Sequence, residues 1–143
     1  MNINPIFKVI SAVSAISGAI AGIAALIPFL SFAVLCLLML GMAPYIIIYL
    51  KNLHVIGNLD TERSLMYGTL AGFTGFIGFS VTFFPIAFII DLIFKTETFL
   101  WVNIVFKNFG FLITMVILIA LLSALLNMFS GFLTGYIYQY LKK

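Results

Sequence analysis

The sequence has few charged residues and few of the side chains that carry out catalysis. Charged residues make up 8% of its 143 residues, and it contains one histidine, one cysteine and four acidic residues. Soluble domains carry about 25% charged residues, so composition excludes a water-soluble fold. The single Cys36 cannot form an intramolecular disulfide, and we expect it to be a buried, unreactive thiol.

Recognised catalytic and ligand-binding motifs are also missing. There is no phosphate-binding loop, zinc-ligand pattern or nucleophile triad. His54 lies near Asp60 and Glu62, but a metal site needs three or four ligands, so we interpret it as a solvated loop residue. The net charge of +3 comes from Lys and Arg beside apolar segments, which indicates membrane orientation rather than nucleic-acid binding. We therefore expect no enzymatic activity, metal, cofactor or nucleic-acid partner.

Long apolar segments are what the sequence has in abundance. Hydrophobic residues make up 64% of it, against about 45–50% in soluble domains. No charge occurs between Arg63 and Asp91, a gap longer than the roughly 20 residues that cross a bilayer. The sequence predicts a single all-α domain in the lipid bilayer, a four-span transmembrane helix bundle, with a division into two hairpins as an open alternative. The predicted helices are about 5–27, 31–50, 61–94 and 109–141.

Prolines mark the predicted ends and bends of these helices. Asn4-Pro5 is a favourable helix start, with an N-cap residue before proline at the first helical position. Pro28 predicts a break, with a turn over 28–31. Pro44 removes the hydrogen-bond donor for the Leu40 carbonyl and predicts a kink. The helix over 61–94 is too long for the membrane if straight, so we expect it to bend near Pro85.

Two connections contain charged residues. The loop over 51–63 is polar, and Asn58, Asp60 and Thr61 are predicted turn and cap residues for the third helix. The segment over 95–108 combines charges with apolar residues. We expect it to lie at the membrane interface, anchored by Trp101.

Small residues recur at four-residue spacing in three of the predicted spans. Such pairs allow the backbones of two membrane helices to approach closely. The third span is the richest in glycine, and we expect the rest of the chain to pack around it. The predicted packing residues are Gly18, Gly22, Gly68, Gly72, Gly131 and Gly135.

Polar residues form a stripe on the fourth predicted span. Ser123, Asn127, Ser130 and Thr134 are spaced by four, three and four, which places them on one helical face. An asparagine in hydrocarbon is costly unless it is paired. We favour an interhelical hydrogen bond that fixes packing, and the alternative is the polar lining of a solute path.

Asp91 is an acidic residue within an apolar run, which makes it a candidate functional residue. Lys95 follows four residues later, the favourable spacing for an acid–base pair on a helix. We therefore expect an interfacial Asp91–Lys95 ion pair.

The distribution of basic residues predicts the orientation in the cell membrane. With four spans, one side carries five Lys and Arg residues and the other carries only Lys95 and Lys107. The excess predicts that both termini are cytoplasmic. All six tyrosines fall near helix ends on that side. The basic residues of that side are Lys8, Lys51, Arg63, Lys142 and Lys143.

Two features of the first half allow other interpretations. The first apolar segment is also compatible with a cleaved signal peptide, with Lys8 before it and a cleavage box at 19–21, although the apolar run continues past that box. The run at 17–22 resembles the one at 67–72, which would indicate a parallel repeat of two hairpins, and chance is an equal explanation.

The glycine and proline pattern of the first half carries a family resemblance. The run from Gly18 and Gly22 to Pro28 is followed by Cys36, Gly41 and Tyr49-Leu50, and then by a second glycine-rich helix. This arrangement resembles small multi-pass bacterial or archaeal membrane proteins of unknown function. The resemblance implies a membrane fold and carries no activity with it.

These observations lead to two function hypotheses. The first is a non-enzymatic membrane protein that acts through helix–helix association as an accessory, assembly or scaffold subunit, with a second copy or another membrane protein as its partner. The second is a small oligomeric transporter or channel with a pathway lined by the Asn127 stripe. A membrane enzyme is the least favoured class because acid–base pairs are lacking.

Overall fold

The computed structural model describes residues 5–57, 59–95 and 97–141, and within these ranges the secondary structure is helical. The four long helices are long and apolar enough to cross a membrane, which confirms the predicted all-α, four-span fold. Asn4, Asn58, Lys142 and Lys143 lie outside the described residues. The elements are α1 (Pro5–Ala24), α2 (Pro28–Asn52), α3 (Thr61–Phe94), a 3-10 turn (Glu97–Phe99), α4 (Leu100–Lys107) and α5 (Phe109–Leu141).

The first turn differs from the prediction. Helix α1 ends at Ala24, and α2 begins at Pro28 itself, so the predicted turn over 28–31 is wrong. Proline suits the first helical turn because its φ is already helical and its missing N–H is not needed there. The side chain of Ser31 then bonds back to the Ala25 carbonyl, which fixes the tight connection.

Helix α3 is the centre of the bundle. It contacts α1, α2, α4 and α5, and its buried residues continue along nearly its whole length. This arrangement agrees with its glycine content, because residues without a side chain allow a helix to be approached from several directions. The assigned helix runs unbroken through Pro85, as α2 does through Pro44. A bend at Pro85 remains a prediction.

The loop between α2 and α3 is more closely packed than its polar sequence indicates. Ile56 and Leu59 are buried, with 4% and 5% of their surface exposed. The Gln139 side chain on α5 donates to the Leu59 carbonyl at 2.6 Å, and Lys51 donates to the Gly57 carbonyl at 2.9 Å. The loop therefore closes one end of the bundle by joining α2 and α3 to the end of α5.

The connection at the other end is helical. Lys95 ends α3 in the left-handed conformation, with φ of 49°, and its N–H donates to the Asp91 carbonyl. Helix α4 then packs on the bundle through Val102, which is fully buried, while Trp101 is about half exposed. This is the short segment predicted before the last span. Asn108 separates α4 from α5, and its side chain accepts from the N–H of Phe111 at 3.3 Å.

The outer surface of the four long helices is largely apolar. Many large hydrophobic side chains lie on it, and examples are Phe29, Phe32 and Leu118. Exposed apolar surface on this scale would cause aggregation in water, whereas lipid solvates it. The four apolar helices thus indicate an integral membrane protein.

Candidate functional site

The most connected polar group in the described spans is the side chain of Asn127. It is fully buried on α5, and its oxygen accepts from the N–H of Ala43 on α2 at 2.8 Å. Its amide nitrogen lies 3.0 and 2.9 Å from the carbonyl oxygens of Leu38 and Met39, also on α2. Because amide and backbone groups satisfy one another, Asn127 ties α5 to the backbone of α2.

Pro44 explains why an N–H group and carbonyl groups of the α2 backbone are available to bond with Asn127. In a regular helix the N–H of Ala43 points at the carbonyl of Met39, one turn earlier. A proline ring crowds the preceding turn and weakens its hydrogen bonds. The Asn127 side chain accepts from the N–H of Ala43 and donates to the carbonyl of Met39, so it acts as an additional peptide group between them. The sequence predicted the freed Leu40 carbonyl, but the bonds form at the neighbouring positions.

The other three members of the predicted stripe differ in whether they bond to another helix or within α5. Ser123 is fully buried and donates to the Gly72 carbonyl on α3 at 3.1 Å, so it joins Asn127 in connecting helices. Ser130 and Thr134 donate to carbonyls of α5 itself. The interhelical bonds of the stripe therefore come from two of its four residues.

The glycines of α3 and α5 make room for this bridge. A side chain at Gly72 would lie 2.6 Å from both the Ser123 carbonyl oxygen and the Cβ of Asn127, and one at Gly68 would overlap the Asn127 carbonyl. Gly131 and Gly135 both face Ser64 on α3. These two pairs thus form one close contact between α3 and α5 on either side of Asn127.

Helix α1 packs on a different face of α3. A Cβ at Gly18 would overlap the Gly75 carbonyl, and one at Gly78 would overlap the carbonyl of Ala15. Thr82 adds a hydrogen bond to the Ala19 carbonyl at 3.0 Å, opposite Gly22. Sequence spacing identified the α1 glycines but did not single out Gly75 and Gly78. The spacing of three between Gly75 and Gly78 was the available signal, because residues three apart are neighbours on a helix surface.

Asp91 is buried, with 5% of its surface exposed, but its partner is not the predicted one. The expected pair with Lys95 is wrong, because Lys95 caps α3 in the left-handed conformation instead of continuing the helix. One carboxylate oxygen of Asp91 accepts from the Asn103 side chain on α4 at 2.9 Å, and the other has no hydrogen-bond partner among the described residues. The contact fastens α4 to the end of α3.

The remaining candidate side chains lie apart from one another. No group of three or more His, Cys, Asp or Glu residues that could hold a metal ion occurs in the described part of the chain. His54 is exposed in the loop after α2, with φ of 58°. Cys36 is exposed on α2, so the prediction of a buried thiol is wrong. The buried face of α2 runs through Leu38, Met42 and Ile46, and Cys36 faces away from it.

Among the described residues, Asn127 and Ser123 therefore form one buried interhelical bridge, flanked by close glycine contacts, and Asp91 makes a separate contact with α4. Comparison with protein-family models, with curated proteins and with solved structures finds no match to this chain.

Proposed function

We propose that this chain is a non-enzymatic protein of the cell membrane that works through helix–helix association, as an accessory, assembly or scaffold subunit. The observation that carries the proposal is the use of its intramembrane polar groups. Asn127 and Ser123 are fully buried, and their interhelical hydrogen bonds go to helix backbones. Polar side chains used in this way stabilise packing and leave no group free for proton transfer or ligand binding at the bridge.

A groove between α1 and α2 is the surface we assign to association. It encloses about 390 Å³ and is lined in part by Ser17, Ala21, Ala24 and Gly41. The glycines of α1 and α3 meet atoms of a neighbouring helix, whereas a Cβ at Gly41 would meet only Leu37, at 3.8 Å. Small residues facing the outside of a membrane bundle favour the close approach of another helix. The proposed occupant is a helix of a second copy or of another membrane protein.

The proposal also includes the orientation of the chain in the membrane. Both termini and the loop between α2 and α3 are placed in the cytoplasm, and α4 on the opposite side. The excess of Lys and Arg near the first three of these regions supports this assignment. The position of Trp101, half exposed on α4, suits an aromatic anchor at the other interface.

Filling the groove tests the association role. We expect Gly41→Leu to leave the free energy of unfolding of the bundle nearly unchanged, because the new side chain enters open space. The same variant should lose the oligomer or partner complex that the natural chain forms in native membranes. Chemical cross-linking in membranes, followed by mass spectrometry, measures this loss. The matched control is Leu40→Ile on the exposed side of α2, which should retain the complex, and retention by Gly41→Leu would contradict the proposal.

The rival hypothesis is a small oligomeric transporter or channel lined by the Asn127 stripe. A solute path at Asn127 would require the bridge between α2 and α5 to open, because the amide is fully buried in the described arrangement. The two hypotheses separate in a liposome flux assay. A change of solute flux in Asn127→Leu with assembly intact would favour the transporter.

A further inference from the structure

A second cavity lies on a different side of α2 from the groove between α1 and α2. It has a volume of about 480 Å³ and lies between α2, α3 and α5, with the 3-10 turn and α4 at one end. We call it the aromatic slot, because Phe76, Phe79 and Phe83 of α3 form one of its walls. Leu35 and Met39 of α2 and Ile119 of α5 lie around the same space. Its size is typical of a pocket for a small apolar ligand.

The slot extends along the helices for the depth of one membrane leaflet. Its lining on α2 runs from Pro28 to Met39, about 16 Å at 1.5 Å per residue. The hydrocarbon core of a bilayer is about 30 Å thick, so half of it has almost the same length. One end lies at the interfacial Thr98 and Trp101. The other lies at the level of Asn127, whose side chain bonds the carbonyl of Met39.

The lining gives water little to bind. It contains no charged residue, and the hydroxyl of Ser31 is bonded to backbone carbonyls of the α1–α2 connection. The other polar side chains of the lining, Thr98 and Trp101, lie at its interfacial end. A buried water molecule needs two to four polar partners, so we expect the slot to exclude water. An empty space of this size would lose the van der Waals contacts that stabilise a packed interior. An apolar occupant would make these van der Waals contacts and would need no polar partners.

We propose that the aromatic slot binds one acyl chain of a bilayer phospholipid. Hydrocarbon chains match its apolar lining and its one-leaflet depth, and the surrounding membrane supplies them at high concentration. Aromatic contacts shape the interfacial end, where Trp101 stacks on Phe83 with 6.1 Å between ring centroids and Phe99 meets Phe83 edge-on at 6.2 Å. The bond from Asn103 to Asp91 holds α4 in the position that these contacts require. The inference is independent of the association role.

Photocross-linking of the unaltered protein tests the slot. The protein is reconstituted in phosphatidylcholine vesicles that contain a phosphatidylcholine with a diazirine in the middle of one acyl chain, and the adducts are mapped by mass spectrometry. Phe76 and Phe79 line the slot and are each only 3% exposed, so neither ring lies on the outer surface of the bundle. We expect adducts on these residues in addition to outward residues such as Phe32. Adducts confined to outward residues would overturn the proposal.

A variant that narrows the slot gives the second measurement. Leu35→Phe adds volume inside it, and the matched control Leu40→Phe makes the same change on the exposed side of α2. We expect the adducts on Phe76 and Phe79 to fall at least about tenfold in Leu35→Phe and to persist in Leu40→Phe. Equal labelling of both variants would overturn the assignment of the acyl chain to this space. So would purification of the natural chain with a different apolar molecule bound there, such as an isoprenoid.

Discussion

Gly18→Ala is expected to destabilise the bundle by about 1–3 kcal/mol, although it adds only one methyl group. The new Cβ would overlap the carbonyl oxygen of Gly75, so two backbones that now touch must separate. No rotamer change relieves a contact between a Cβ and a backbone. The measurement is the free energy of unfolding in mixed micelles titrated with a denaturing detergent.

Gly41→Ala is the matched control for Gly18→Ala. Both positions are glycines inside a long helix, but a Cβ at Gly41 would be 3.8 Å from its nearest neighbour. Alanine favours helix over glycine by about 1 kcal/mol, so Gly41→Ala should be neutral or slightly stabilising. Equal effects of the two substitutions would show that α1 and α3 do not make this close contact.

Asn127→Leu is expected to lower the free energy of unfolding by about 2 kcal/mol. Three hydrogen bonds connect this side chain to α2, and interhelical bonds in membrane proteins contribute about 0.6 kcal/mol each on average. Leucine branches at the same carbon and is larger than asparagine, so the loss does not come from a cavity. The same titration in mixed micelles measures it.

Thr114→Val is the control for Asn127→Leu. Thr114 is an exposed residue of α5 whose hydroxyl donates only within its own helix, at 2.9 Å to the Gly110 carbonyl. Its replacement should change stability by no more than a few tenths of a kcal/mol, as most surface substitutions do. If Asn127→Leu proved as mild as Thr114→Val, the bridge would not hold α2 to α5.

The outline of this fold could be predicted from sequence because it depends on length and polarity. Apolar runs bounded by charges fix where a helix enters and leaves a bilayer, and they located α3 and α5 well. The start of α2 was misplaced because Pro28 breaks one helix and begins the next with equal ease. Which of these applies depends on the conformation of the residues before it.

The partners of the polar side chains were harder to predict. The spacing of the stripe identified Asn127 as a costly group that needs a partner, but only the packing of α5 against α2 supplies that partner. The partner of Asp91 could not be predicted from sequence for the same reason. Local spacing favoured Lys95, whereas the left-handed end of α3 turned the chain so that Asn103 on α4 became the partner. Side-chain pairing followed tertiary packing rather than sequence separation.

The central claim is that the four spans pack into one bundle within the membrane, and a designed disulfide between α2 and α3 tests it most directly. In a Cys36→Ser background, Met42→Cys is combined with Gly75→Cys and a protease site is placed in the exposed stretch at 53–55. The Cγ of Met42 lies 3.2 Å from a Cβ built at Gly75, so a sulfur there is within reach of a disulfide. Gly41→Cys with Gly75→Cys is the control, because Gly41 faces the open groove.

After oxidation and proteolysis of inverted membrane vesicles, we expect the two halves of the Met42→Cys, Gly75→Cys chain to stay linked until a reductant is added. The control halves should separate, and right-side-out vesicles should resist cleavage if the loop is cytoplasmic, as we propose. Halves that separate in both variants, or a chain recovered from the cytosol without detergent, would contradict the bundle described here.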